Sequence, residues 1–217
     1  MEKSAERALE LERVEPVPES LWQRIRAEPE RTPEYIALAA AERFAPAAER
    51  WVALMGPGRE PAKVARIAYR KHVRLARLEG GALGIGGAFT AVPDLAALAW
   101  IQSRMVFFIA AAYGYDPHHP MRPAELLALQ GIYPTAAEAR AALDGMGTPL
   151  AQALVEGKLM RGSDEQLTTR LLKFVGKRIA KRYTVRLVPL LAAPVGAVQN
   201  AGATKDLGRR VLAYYGG

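Results

Sequence analysis

The sequence contains no cysteine among its 217 residues. This absence excludes disulfide bonds, thiolate nucleophiles and cysteine-ligated zinc sites, and it fits a reducing compartment. Aromatic residues are also few, at 7% of the chain, although half of all residues are hydrophobic. The core must therefore be built mainly from Ala, Leu, Val and Ile, and the abundance of Ala and Leu favours helices.

Strand patterns and catalytic signatures are lacking as well. No segment alternates convincingly between polar and apolar residues, and no clean repeat of roughly 20–50 residues is present. The chain has no HExxH or GxSxG motif, and the glycines around residues 80–87 lack the preceding strand and the spacing of a nucleotide-binding loop. The sequence predicts an all-α protein, a single multi-helix bundle around two apolar helical segments that contain glycine and proline.

The N-terminal stretch lacks the apolar core of a signal peptide, because MEKSAERALELERVEP is charged and helical in pattern. We therefore expect the protein to stay in the cytoplasm. Acidic residues are outnumbered, with 30 Lys and Arg residues against 22 Asp and Glu residues and a net charge of +8. A surplus of this size indicates an anionic partner such as a phospholipid surface or a nucleic acid.

The chain is organised around residues 80–115, a glycine-studded apolar run in which only Asp94 and Arg104 are charged. Thr90 can cap a helix, and the Pro-Asp pair that follows suits a first helical turn. The predicted helix, over about residues 91–113, is apolar on nearly every face. It should therefore be buried inside protein or lipid.

A second low-charge region, residues 187–204, contains two prolines and two glycines, and a final short helix is predicted over residues 206–214. A membrane span needs about 20 apolar residues. Residues 95–113 nearly meet this length but include Gln102 and Arg104, and an arginine in the middle of a bilayer is costly. A buried helical core is the favoured interpretation, with a membrane span as the alternative.

Two helices are predicted to be strongly basic. In the first, over residues 61–78 and closed by Glu79, cations at spacings of three and four share one face. These cations are Lys63, Arg66, Arg70, Arg74 and Arg77. The second helix spans residues 164–186 and suits an anionic lipid surface, although its cations could also form an ordinary solvated face. The proposed membrane-binding residues are Lys173, Lys177, Arg178, Lys181 and Arg182.

Four polar residues within the apolar regions need partners if they are buried: Asp94, Gln102, Arg104 and Asn200. Asp94 and Arg104 are ten residues apart on one helix, too far to pair directly. The candidate partners elsewhere in the sequence are Glu79, Arg77 and Lys205. We favour the interpretation that these residues are paired within the folded protein over the interpretation that they act in catalysis.

Residues 70–117, RKHVRLARLEGGALGIGGAFTAVPDLAALAWIQSRMVFFIAAAYGYDP, resemble the central signature of the EcsC family. That signature has a His and an EG pair before a glycine-rich segment, then a Pro-Asp helix start, a Gln-x-Arg helix and a YGYD ending. The later run VPLLAAPVGAVQNAGAT looks like the family's second low-charge element, so the resemblance covers about residues 60–215. It implies an association with ABC-transporter loci and membrane-linked processes, without a defined biochemical activity. The motif positions that it marks, without assigned roles, are Glu79, Asp94, Gln102, Arg104, Tyr113 and Asp116.

These observations favour a non-catalytic accessory protein that lies on the inner face of the cytoplasmic membrane or binds lipid or an apolar ligand. A membrane transporter is a further partner that the resemblance implies. We expect an N-terminal helical extension over residues 1–58 and an EcsC-like helical domain over residues 59–217, with no cofactor or metal. Oligomeric state stays open.

Two other classes of function are weighed against this expectation. The alternative enzyme is a metal-dependent hydrolase that would use His72, Glu79 and Asp94, since His72 and Glu79 share a helix face. Nucleic-acid binding is disfavoured, because no helix-turn-helix spacing, zinc pattern or aromatic stacking motif is visible.

Overall fold

The computed structural model describes residues 16–28, 31–83, 91–145 and 189–217, with side chains described at 16–28, 31–78, 96–145 and 201–217. Every secondary-structure element that these residues form is a helix, which confirms the predicted all-α class. In chain order the helices are α1 (Glu19–Ala27), α2 (Thr32–Met55), α3 (Pro61–Leu83), α4 (Ala91–Ala112), α5 (Arg122–Leu129), α6 (Ala136–Leu143) and α7 (Pro189–Gly216).

Helix α4 is the centre of the bundle. It begins within one residue of the predicted start, and every side chain from Ser103 to Ala112 is buried. Helices α2, α3 and α7 all pack against it. This arrangement confirms that the apolar helix is a buried core element, because an all-round apolar surface needs neighbours on several sides.

Helix α2 covers one side of α4 through two aromatic contacts. The rings of Phe44 and Trp100 have centroids 4.6 Å apart, and those of Trp51 and Phe108 lie 5.2 Å apart. The two pairs advance in the same direction along both helices, so α2 and α4 run parallel. Pro46 lies inside α2 without ending it, although proline removes one backbone hydrogen bond of a helix.

Helix α3 follows α2 after a short loop and packs on both α4 and α7. The prediction that Glu79 closes this helix was wrong, since α3 continues to Leu83. The two glycines after Glu79 each weaken a helix by about 1 kcal/mol relative to alanine. Packing against two neighbouring helices offsets that preference, which local sequence alone does not reveal.

Helix α7 corrects a second prediction. The low-charge region and the final short helix form one continuous helix of 28 residues rather than two elements. Pro189 stands at its first position, where a missing N–H costs nothing, while Pro194 lies inside the helix. Gln102 meets Thr204 and Tyr113 lies close to Gly216, so α7 runs parallel to α4.

The short helices α5 and α6 pack on each other beside the C-terminal ends of α4 and α7. Thr135 caps the N-terminus of α6, because its hydroxyl accepts a hydrogen bond of 3.2 Å from the backbone N–H of Glu138. The loop between α5 and α6 is tied to α2 by the Tyr133 hydroxyl, which donates to the buried Glu34 carboxylate. These contacts connect the first and second halves of the described chain.

Within the described ranges, no helix is both long enough and apolar enough to cross a membrane. The second basic helix, predicted over residues 164–186, lies outside the residues that the structure describes.

Candidate functional site

A buried polar centre lies between α3 and α4. His72 is fully buried and Arg104 is only 2% exposed. The Arg104 guanidinium carbon lies 4.5 Å from the centroid of the Phe108 ring, and the imidazole of His72 meets the same ring edge-on at 5.5 Å. A cation over an aromatic face is stabilised by the ring quadrupole. Phe108 therefore contacts both polar side chains.

The protonation of His72 follows from its hydrogen bond. Its Nδ1 lies 2.7 Å from the carbonyl oxygen of Ala68, which can only accept, so Nδ1 carries the proton. Burial, the positive charge of Arg104 and that of Lys71 lower the pKa of His72 to about 3. His72 is therefore neutral, and its buried Nε2 lone pair has no hydrogen-bond partner in the described part of the chain.

Of the three residues named for the alternative metal-dependent hydrolase, the structure describes the side chain of His72 but not those of Glu79 and Asp94. No group of three or more His, Asp or Glu side chains among the described residues could hold a metal ion. Arg104 and Lys71 both depress the pKa of His72, and the same positive charge would oppose a divalent cation there. His72 is thus a neutral core imidazole that is held by its hydrogen bond to the carbonyl oxygen of Ala68.

Gln102 links the two apolar regions. Its side-chain amide donates a hydrogen bond of 3.3 Å to the hydroxyl of Thr204, which is fully buried on α7. The adjacent Ser103 hydroxyl donates to the carbonyl oxygen of Ala99, one turn earlier on α4, at 2.7 Å. Of the four polar residues predicted to need partners, Gln102 therefore has one inside the protein.

The YGYD segment shapes the end of the bundle. The Asp116 carboxylate accepts a 2.8 Å hydrogen bond from the backbone N–H of His118, and its carbonyl accepts one of 3.0 Å from Arg122 Nε. The hydroxyl of Tyr113 lies beside the backbone of Gly216 at the end of α7. Tyr113 and Asp116 therefore lie at the same corner, away from Gln102 and Arg104 along α4.

A second buried charge cluster at that corner is absent from the sequence predictions. Arg122 pairs with Glu125, and the Tyr215 hydroxyl donates to Glu125 at 2.6 Å. Burial, together with this hydrogen bond, raises the pKa of Tyr215. The spacing of three between Arg122 and Glu125 is a visible helix-pair signal, but Tyr215 lies 90 residues away from Glu125 and no local pattern indicates it.

The first basic helix has its cations where they were predicted. The side chains of Lys63, Arg66, Arg70, Arg74 and Arg77 are all exposed on α3. Val64, Ala68 and His72 lie on the opposite side of the helix and are buried. Lys63 pairs with Glu60 at 3.1 Å, and no described acid lies within ion-pair distance of the four arginines.

The remaining predicted residues fall outside the described side chains. Glu79 lies on α3 two turns beyond His72, Asp94 lies in the first turn of α4, and Asn200 lies in α7. The second basic helix is wholly outside the described residues. Its proposed membrane-binding residues are Lys173, Lys177, Arg178, Lys181 and Arg182.

The fold and its polar contacts define an all-α bundle protein in which a central apolar helix holds buried polar side chains and a neighbouring helix presents a basic face. Residues 59–215 match the EcsC protein family, so the chain belongs to that family. The match spans most of the chain and confirms the resemblance seen in the sequence. No curated protein and no solved structure matches the chain at a significant level.

Proposed function

We propose that this EcsC-family protein is a non-catalytic accessory protein that binds the anionic surface of the cytoplasmic membrane at its inner face. The observation that carries the proposal is the distribution of the charge surplus along the chain. Helix α3 contains six Lys and Arg residues against one acid, and residues 164–186 contain seven against two. The rest of the chain has 17 basic and 19 acidic residues, so the two basic segments account for the whole surplus.

Concentrated positive charge supports membrane binding for a physical reason. The inner leaflet of a cytoplasmic membrane carries anionic lipids, and each basic residue close to it contributes about 1 kcal/mol of attraction. On other helices, some exposed cations are paired with a neighbouring acid, as in Arg26–Glu19 and Arg209–Asp206. The arginines of α3 have no such described neighbours, which leaves their charge available to a partner.

The buried polar centre supports a binding role rather than a catalytic one. His72 is fully buried and neutral beside Arg104, so its imidazole is out of reach of a substrate in solution. A general base must come within hydrogen-bond reach of its substrate. The proposal has two more specific versions. In one, the protein binds a lipid or an apolar ligand at the membrane; in the other, it contacts a membrane transporter.

Flotation of the purified protein with lipid vesicles tests the proposal. We expect the protein to float with vesicles that contain anionic phosphatidylglycerol and to stay at the bottom with neutral phosphatidylcholine. Binding should weaken as salt is raised, since the Debye length shortens from about 30 Å at 0.01 M to about 8 Å at 0.15 M. A protein that floats with neither lipid contradicts the proposal.

The second basic segment has its own charge-reversal test. Changing Lys173, Lys177, Lys181 and Arg182 together to Glu should abolish flotation with anionic vesicles if that segment makes the contact. Circular dichroism of the variant controls for loss of the helical fold. Unchanged flotation would remove the segment from the binding surface while leaving the membrane proposal itself intact.

A further inference from the structure

We propose that the outer face of α3 is a membrane-docking surface, in which the arginine row meets anionic headgroups while Ile67 and Leu78 enter the boundary between headgroups and acyl chains. This inference rests on the proposed function and adds to it the particular surface and the orientation of the protein on the membrane. The partner that binds this surface is the lipid bilayer.

The bundle fixes which face of α3 is presented. The opposite face is buried against α4 and α7, where Ala65, Ala68 and Ala76 have no exposed surface. The ring of Tyr69 lies against the backbone of Gly208 on α7, so α3 cannot rotate about its axis without losing this packing. The cations are therefore held outward before any partner arrives, which reduces the ordering cost of binding.

The exposed row has the dimensions of an extended contact. From Lys63 to Arg77 the helix advances 14 residues, or about 21 Å at roughly 1.5 Å per residue. At about 100° per residue, the five cations fall within an arc of about 80° around the helix axis. A narrow row of cations along a surface helix matches the shape of a flat anionic surface better than it matches that of a compact ligand.

Two exposed apolar side chains distinguish a membrane from a nucleic acid. Ile67 is 38% exposed and Leu78 is 61% exposed. By the same helical geometry, both lie within about 40° of Arg74, on one side of the basic row. A bilayer offers an apolar phase just beneath its phosphates, whereas a nucleic-acid backbone offers phosphates alone.

Aromatic side chains would be expected on a surface that stacks on bases. The described exposed face of α3 carries none, because Tyr69, the only aromatic residue of α3 other than His72, is only partly exposed and packs on Gly208. The combination of a cationic row, flanking aliphatic side chains and no stacking platform favours the lipid surface over RNA or DNA.

The charge arm of the test uses the full-length protein and vesicles of about one-third phosphatidylglycerol in phosphatidylcholine. Because each basic residue near an anionic surface contributes roughly five-fold to partitioning, the double variant Arg70→Glu/Arg74→Glu should bind at least about 30-fold more weakly than wild type. The matched control is Arg24→Glu/Arg50→Glu, which makes the same change in net charge at exposed positions on α1 and α2. We expect the control to lose much less binding.

The apolar arm compares Ile67→Ser/Leu78→Ser with Leu54→Ser, since Leu54 is a 40% exposed leucine on α2. The α3 variant should bind roughly five- to ten-fold more weakly, and the loss should persist when salt is raised, because it removes apolar burial rather than charge. Leu54→Ser should bind as wild type does. Thermal melts of every variant verify that the bundle is intact.

The outcomes separate this inference from the proposed function. Wild-type flotation with unchanged binding by both α3 variants would overturn the inference and leave the membrane function to another surface. A wild-type protein that does not float would overturn both. If the charge variant loses binding to labelled RNA as strongly as to vesicles, and the apolar variant loses neither, α3 is a general phosphate-binding face and the docking geometry is wrong.

Discussion

The backbone of Gly208 on α7 lies directly against the aromatic ring of Tyr69 on α3. A β-carbon at Gly208 would come within 2.6 Å of the ring carbon Cε2 and 3.3 Å of the sulfur of Met105 on α4. Real β-carbons essentially never lie as close to another atom as this one would lie to the Tyr69 ring, so the ring would have to move. The absence of a side chain at this one position allows α3, α4 and α7 to approach each other closely.

Replacing Gly208 should therefore destabilise the bundle. We expect Gly208→Ala to lower the free energy of unfolding by about 1–3 kcal/mol, the usual cost of overpacking a core. Gly202→Ala on the same helix is the matched control, because a β-carbon there meets no atom within 4 Å. Alanine is favoured over glycine in helices by about 1 kcal/mol, so the control should be neutral or stabilising in urea unfolding.

The contact between α2 and α4 makes a second prediction. Trp51 is 1% exposed and its ring packs on Phe108. Trp51→Ala should lower the free energy of unfolding by about 3–5 kcal/mol because it leaves a large cavity. Leu54→Ala, at an exposed position one turn away, should change it by less than about 0.5 kcal/mol. Equal losses in both variants would mean that α2 does not depend on this aromatic contact.

The charge cluster at the C-terminal corner makes a third prediction. Glu125→Ala leaves the buried Arg122 without its carboxylate partner and should cost about 3–5 kcal/mol of unfolding free energy. Asp144→Ala removes the partner of Arg140 in a more exposed pair and should cost no more than about 1 kcal/mol. Denaturant midpoints of the two variants measure the difference, and similar midpoints would contradict it.

The buried His72 predicts how stability depends on pH. Its pKa is about 3 in the folded protein against 6.5 as the ordinary value, so between these values the unfolded chain binds the extra proton. Stability is then lost as the pH falls below about 6.5, by about 1.4 kcal/mol per pH unit, or about 2 kcal/mol between pH 7.5 and pH 5.

The variant His72→Leu should flatten this part of the pH profile, because leucine has no proton to gain. Its stability at neutral pH is lower or higher according to how well leucine fills the space, so the slope is the measurement and not the absolute value. In the wild-type protein, the NMR signals of the imidazole should keep their neutral positions down to about pH 4. A His72 that titrates near pH 6.5 in the folded state would contradict the buried neutral assignment.

Several features could be predicted from the sequence because they depend on neighbours along one helix. The Pro-Asp start of α4, its buried apolar length and the basic row of α3 all follow from residue type and helical spacing. The length of α3 and the continuity of α7 were predicted wrongly. Glycine and proline disfavour helices locally, and packing against neighbouring helices outweighed that preference here.

The sequence alone determined the helical class, the family and the face on which the cations of α3 lie, since each is set by composition, motif or a period of 3.6 residues. Only the tertiary structure decided that the ring of Tyr69 packs on Gly208 and that Tyr215 joins the Arg122–Glu125 pair. It also decided that His72 is buried beside Arg104 and is therefore neutral. These contacts join residues that are from 32 to more than 100 positions apart. They depend on how the helices cross and pack in space, which periodicity along one helix does not specify.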